Sequence, residues 1–295
     1  MGTVKSAVHL LTKRPSVLVL AVLLSTVSCV IEYFFITLFY GFTMFKTGSP
    51  FDDYVNIIQF VINTIAVPET AVKIILALVI AVVAASLILG LLFSGYFNIL
   101  HNTVEGNEKK IGNEFIHGVK KYFLKMISIN LWTMCSVILF LIYFVIATIP
   151  AAIVIDNSIR GTMPPLAGVA LSIITVLVLF FSYAFFRQYI IFWYPSAIVY
   201  DKNHFRMAKK ISDSRFWELL PKFLAFDIVL VLFDVIYIIA NFTLANTQIV
   251  SGTVTNILVI VNIVFKTIFI AIFVCFVFSA FKKCDDTFKR DKAVR

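Results

Sequence analysis

Five ionisable residues lie inside stretches that otherwise have the composition of membrane-spanning helices: Glu32, Arg187, Asp227, Asp234 and Lys266. A charge at the centre of a bilayer costs several kcal/mol, so such residues usually face a bundle interior or a water-filled cavity and have partners. Groups of this kind can form a pathway for a proton or substrate, lock helices in register, or dock a partner helix. The five residues are therefore the candidate functional site, and all three roles are open at this stage.

Depth in the membrane suggests which of these charges meet. A helix rise of about 1.5 Å per residue places Glu32, Asp234 and Lys266 about 21–23 Å from the predicted cytoplasmic edge, and Arg187 about 20 Å from it. Asp227 is shallower, at about 11 Å, two turns from Asp234 on the same helix face. Because Asp234 and Lys266 are equally far from the loop that joins their spans, we expect them to pair. Arg187 can pair with Glu32 or with Asp227.

The elements that must position these residues are transmembrane helices. The chain has 295 residues, of which 61% are apolar and only 14% are charged, and its mean hydropathy is +0.98. A soluble domain is about a quarter charged and about half apolar. Composition alone therefore predicts an integral membrane protein.

Six apolar runs reach the length of about 20 residues that a span requires. We predict an all-α, polytopic protein that forms a single transmembrane domain over residues 1–295. The predicted spans are 17–45, 71–100, 123–155, 166–200, 219–245 and 253–281.

The basic residues predict the orientation of these spans. Twenty Lys and Arg residues fall in the N-terminus, the second and fourth loops and the C-terminal tail, whereas the opposite side carries only Lys46, Lys73 and Arg160. Cytoplasmic loops carry the excess of Lys and Arg. We therefore expect a multi-pass protein of the cell membrane with both termini in the cytoplasm.

Three basic, amphipathic segments each precede an odd-numbered span, at residues 4–11, 115–122 and 205–211. They suggest three parallel two-helix repeats, each preceded by a cytoplasmic amphipathic helix, although any six-span protein with both ends inside places basic residues at these junctions. Residues 51–65 also carry apolar side chains at helical spacing, which predicts an external amphipathic helix that caps the bundle.

Aromatic and basic residues predict contacts with the membrane surface. Trp193 and Tyr194 suit the level of the lipid headgroups, and Pro195 is expected to kink or end the span there. Lys209 and Lys210 belong to a basic segment typical of binding to anionic headgroups at the cytoplasmic face. Membrane lipids are thus the expected partners, together with a membrane protein that docks on the helices.

Sequence motifs for catalysis are missing from the chain. It contains no nucleophile elbow, zinc-protease motif, phosphate-binding loop or dinucleotide fingerprint, and its four histidines are not at metal-ligand spacing. We expect no enzymatic activity, no metal and no cofactor. Nucleic-acid binding is not expected either, because it would need a substantial soluble face.

One stretch resembles a known group of families. It comprises Arg187-Gln188-Tyr189, an aromatic and Pro-containing segment from Trp193 to Asp201, and Ala208-Lys209-Lys210-Ile211-Ser212. This pattern is similar to prokaryotic six-span membrane families of unknown function that are related to the membrane domain of glycerophosphoryl diester phosphodiesterases. The resemblance covers the central third of the chain. It implies a six-span fold but no hydrolase activity, because the soluble catalytic domain of those enzymes has no counterpart here.

The function expected from these features is that of a non-enzymatic protein of the prokaryotic cell envelope. It would be a permease-like or accessory component that handles a lipid or a peptide. The alternative is a structural or immunity-type protein that binds another membrane component through its helices. A polar cavity at the intramembrane charges would favour transport, whereas a dry and fully paired core would favour the structural role.

Overall fold

A computed structural model describes residues 3–43, 59, 63, 66–107, 111–246 and 252–293, and within them it contains eight α-helices and no strand. The helices are α1 (Thr3–Lys13), α2 (Val17–Thr43), α3 (Pro68–Glu105), α4 (Ile111–Ile159), α5 (Pro165–Val199), α6 (His204–Ser214), α7 (Phe216–Asn246) and α8 (Gly252–Ala293).

Five of these helices, α3, α4, α5, α7 and α8, are long and apolar enough to cross a membrane. The pair α1 and α2, bent by 107° at the break between them, makes a sixth candidate span. At most 17% of the residues in each apolar window of the five helices are buried. Surfaces this apolar and this exposed require lipid around them. The predicted all-α, polytopic membrane class is confirmed.

The helices extend beyond several of the predicted spans. α4 contains 49 residues and α8 contains 42, whereas a span needs about 20. Prolines do not end the helices, because Pro195 and Pro221 both lie inside them. Transmembrane helices tolerate proline where neighbouring groups satisfy the freed backbone carbonyl. α5 therefore runs past the expected end at Pro195, and Tyr200 N still donates to Ser196 O at 2.8 Å.

Two of the three amphipathic segments form separate helices, α1 and α6. In α6, Ala208, Ile211 and Ser212 are buried while Lys209 and Lys210 are exposed. The third segment, 115–122, is instead continuous with α4. Neither glycine nor proline occurs between it and the span, whereas Pro15 stands at the break between α1 and α2. The threefold repeat stays a prediction.

The chain divides into two compact units, so the single transmembrane domain also stays a prediction. The first unit comprises Met1–Ile36, Leu92–Phe123 and Ile191–Arg295. Its core is rich in aromatic side chains, and the Phe97 ring centroid lies 5.1 Å from that of Phe278 and 5.7 Å from that of Tyr194. Aromatic rings at such distances stabilise the packing beyond the area that they bury.

The second unit comprises Thr37–Leu91 and Leu124–Ile190. Asn130 Nδ2 donates to Ser86 O at 3.4 Å between α4 and α3, and the Phe140 and Phe186 rings stack at 4.4 Å between α4 and α5. The predicted external helix at 51–65 lies outside the described residues except for Gln59 and Asn63, which are helical and exposed.

A glycine permits close packing of α4 on α3 within the first unit. A Cβ atom at Gly118 would lie 2.4 Å from Ser94 O and 2.6 Å from Asn98 Cβ. Asn98 is itself 3% exposed, and its Nδ2 donates to Glu114 O at 2.8 Å. The two helices therefore approach each other too closely for any side chain at position 118.

We predict that Gly118→Ala destabilises the protein by about 1–3 kcal/mol, the usual cost of overpacking a close contact. Gly112→Ala in the same helix is the matched control, because a Cβ atom at Gly112 meets nothing within 4 Å. Thermal melts of both variants in detergent, followed by size-exclusion chromatography, measure the difference. Equal melting temperatures for the two variants would contradict this packing.

Candidate functional site

Three of the five predicted residues lie together in the first unit. Lys266 on α8 donates from Nζ to Glu32 Oε1 on α2, and the same Nζ lies 3.1 Å from Asp234 Oδ1 on α7. The Lys266 side chain is only 2% exposed, whereas the carboxylate-bearing side chains are 29% and 34% exposed. One buried ammonium group thus connects three helices. We call Glu32, Asp234 and Lys266 the charge cluster.

Neutral polar side chains complete the surroundings of Glu32. Asn262 Nδ2 donates to Glu32 Oε2 at 3.2 Å, and Ser28 Oγ donates to Glu32 Oε1 at 3.5 Å. Asn262 is 2% exposed and lies one turn before Lys266 on α8. Glu32 therefore accepts hydrogen bonds from its own helix and from two positions on α8.

A second polar contact joins the same two helices. The hydroxyl groups of Ser25 and Thr267 lie 2.7 Å apart, and both side chains are buried. Ser25, Ser28 and Glu32 share one face of α2, because they are three and four residues apart. This stripe of polar residues is the sequence signal for Ser25 and Ser28. A search restricted to charges missed them.

Aromatic contacts set the register between α7 and α8. The rings of Phe233 and Phe265 stack with centroids 3.7 Å apart, and Phe226 contacts Phe269 at 5.8 Å. Phe233 and Phe265 directly precede Asp234 and Lys266 in the chain. The stack therefore holds the acidic and basic residues at the same level of the hairpin.

The cluster contains more negative than positive charge. With all three groups ionised, two carboxylates face one ammonium group and leave a net charge of −1. Removing one partner from a buried ion pair is strongly destabilising, by about 3–5 kcal/mol, because it leaves an uncompensated charge. Chemically, the arrangement acts as an electrostatic connection between α2, α7 and α8.

The other two predicted residues have different surroundings. Asp227 is half-buried on α7, two turns before Asp234 in the first unit. Arg187 belongs to the second unit, where its guanidinium carbon lies 5.7 Å from the centroid of the Tyr183 ring. Tyr183 precedes it by one turn of α5, so the contact is a cation–π interaction within a single helix. The pairings of Arg187 with Glu32 or Asp227 stay predictions.

The predicted interfacial residues lie near the end of α5 and on α6. The Trp193 ring contacts Phe205 edge-on at 4.9 Å, which connects the end of α5 to the start of α6. Tyr194 packs edge-on against Phe93 and Phe97, so its ring belongs to the aromatic core. Lys209 and Lys210 are exposed on α6.

A further polar contact, which the sequence did not indicate, lies where α5 ends. The Tyr200 hydroxyl donates to Asp285 Oδ1, and Lys289 Nζ lies 2.6 Å from Asp285 Oδ2. Burial raises the pKa of Tyr200, and the hydrogen bond to the Asp285 carboxylate raises it further. Tyr200 thus stays protonated and donating at neutral pH, which fastens the end of α5 to α8.

Among the described residues, no group of three or more His, Cys, Asp or Glu side chains could hold a metal ion. With the geometry of the site established, comparison with known proteins adds no family: no family model, curated protein or solved structure matches the chain.

The charge imbalance predicts an ordered series of stabilities. Asp234→Asn should change the melting temperature little, because Glu32 and Lys266 remain as a neutral pair. Adding Glu32→Gln leaves the Lys266 ammonium without either carboxylate and should cost about 3–5 kcal/mol. A third change, Lys266→Met, removes the buried charge and should restore most of that loss.

Thermal melts of the single, double and triple variants in one detergent measure this series. Equal stability of the single and double variants would show that the cluster does not hold the helices together. If the triple variant is as unstable as the double variant, the unpaired ammonium group is not the cause of the stability loss.

Proposed function

We propose that this chain is a non-enzymatic integral membrane protein of the prokaryotic cell envelope that handles a membrane lipid. The observation that carries the proposal is an apolar groove between α7 and α8, with a volume of about 630 Å³. Binding cavities for small molecules have volumes of about 300–1,000 Å³. The groove is lined by Pro221, Lys222, Ala225, Phe226, Val229, Phe265, Ile268, Phe269 and Ile272.

The shape of the groove matches one leaflet of a bilayer. Its lining on α7 extends from Pro221 to Val229, which corresponds to about 12 Å along the helix. Half of the hydrocarbon core of a bilayer measures about 15 Å. A single acyl chain that enters from one leaflet can therefore lie along the groove.

The chemistry of the lining favours an acyl chain over a peptide. Apart from Lys222 at one end, the groove presents aliphatic and aromatic side chains. An extended peptide backbone in this environment would leave its N–H and C=O groups without partners, at a cost of several kcal/mol each. An acyl chain carries no such groups, so the lining favours a lipid over an extended peptide.

The charge cluster supports this proposal by holding the walls of the groove in place. Phe265 lines the groove, and Lys266, the next residue, binds Asp234 on α7. The ion pair and the aromatic stack thus connect the two helices immediately beside the cavity. The same connection of α2, α7 and α8 also favours the second candidate function, a structural protein that binds another membrane component through its helices.

We predict that filling the groove reduces lipid binding. Val229→Trp places a large side chain in the cavity, whereas Val231→Trp, two residues along α7, is the matched control outside its lining. Both valines are exposed, at 49% and 57%. Native mass spectrometry of the proteins purified from membranes counts the lipids that stay bound.

The expected result is loss of a retained lipid in Val229→Trp but not in Val231→Trp, with equal melting temperatures. Equal lipid retention in both variants would exclude the groove as a lipid site. In that case the structural candidate would be favoured, and it predicts a co-purifying membrane protein.

A further inference from the structure

A basic cluster lies at one end of the lipid groove, around the first turns of α7. The carboxylate of Glu218 is surrounded by three cationic groups, from α7, α8 and the turn before α7. Lys222 Nζ lies 2.9 Å and Lys283 Nζ 3.2 Å from Glu218 Oε1, and an Arg215 guanidinium nitrogen lies 3.6 Å from Glu218 Oε2. Among these four groups, three positive charges face one negative charge, which leaves a net charge of +2.

The cluster is accessible and continuous with the groove. Its four side chains are between 31% and 61% exposed, which leaves the cationic groups open to a ligand. Lys222 belongs to both features, because it lines the groove and binds Glu218. Trp217, beside the cluster, is 72% exposed, as expected for an aromatic residue at the level of the lipid headgroups.

We infer that the groove and the basic cluster together form a site for an anionic phospholipid, whose acyl chain lies in the groove and whose phosphate binds Lys222, Lys283 and Arg215. This inference rests on the proposed lipid-handling function and names the class of lipid. Glu218 is a positioning residue, since it draws the three cations from α7, α8 and the turn before α7 to one point.

The net positive charge of the basic cluster favours anionic headgroups over zwitterionic ones. A zwitterionic lipid brings its own ammonium group and leaves the two excess charges of the site unbalanced. A lipid with a net negative charge neutralises them, as basic residues near a membrane surface attract anionic lipid. We therefore expect a preference for anionic over zwitterionic lipid on the order of tenfold or more.

The test compares lipids that differ only in the headgroup. The full chain is incorporated into nanodiscs with equal amounts of dioleoyl phosphatidylglycerol and dioleoyl phosphatidylcholine, released into detergent and analysed by native mass spectrometry. We expect the wild-type protein to retain the phosphatidylglycerol preferentially. Lys222→Gln/Lys283→Gln should bring the ratio of the two lipids close to one, while the total bound lipid persists through the groove.

The matched control is Lys120→Gln/Lys202→Gln, which removes two exposed lysines outside both the groove lining and the basic cluster. It should keep the wild-type preference. If it loses the preference to the same extent, the selectivity comes from the general surface charge, and the site is overturned. All variants are compared only after their melting temperatures and elution volumes match those of the wild type.

Two further outcomes separate this inference from the proposed function. If lipid binds in the groove but phosphatidylglycerol and phosphatidylcholine are retained equally, the headgroup site is wrong and the lipid-handling proposal stands. If Val229→Trp retains as much lipid as the wild type, the proposed function and this inference both fail. A third arm adds millimolar inorganic phosphate: displacement of the anionic preference by phosphate alone would make the cluster a site for free anions instead.

Discussion

An ammonium group buried among apolar helices is the constraint on which the first unit depends. Lys266 is 2% exposed, so its charge must be neutralised by the protein and not by water. Glu32 and Asp234 provide carboxylates from two other helices, and α2, α7 and α8 meet at this level. A buried ion pair adds little net stability compared with apolar packing, but the loss of a partner is severe. The cluster therefore adds little to the stability of the native arrangement of the three helices, but it makes arrangements that separate Lys266 from its carboxylates unfavourable.

Aromatic contacts between α7 and α8 shape the groove beside the charge cluster. Phe233 on α7 stacks on Phe265 of α8, and Phe226 from α7 with Phe265 and Phe269 from α8 line the groove. The polar side of α8 therefore faces the charge cluster while its aromatic side is left for lipid. At the end of the same hairpin, Lys283 approaches Glu218 and brings the basic cluster to the mouth of the groove.

Hydropathy predicted the membrane class and the approximate spans because these depend on local composition. Hydropathy underestimated the lengths of α4 and α8. The apolar run stops where charged residues begin, whereas backbone hydrogen bonds continue the helix through those charged residues. The depth argument placed Asp234 beside Lys266, and the structure has the two groups 3.1 Å apart. Depth does not determine which helices are neighbours, however, so it did not select Glu32 as the other partner of Lys266. Asn262 and Ser28 were overlooked because neutral polar residues give no charge signal, and the groove arises from packing that no local pattern encodes.

The separation of Glu32 and Lys266 along the chain has a consequence for biogenesis. The two residues are 234 positions apart. At a synthesis rate of roughly 5–20 residues per second, the ribosome adds Glu32 roughly 12–47 s before it adds Lys266. During that interval the carboxylate on α2 has no ammonium partner from α8. Until α8 arrives, contact with water, an insertion factor or a bound proton can keep Glu32 from being an unpaired charge in the bilayer.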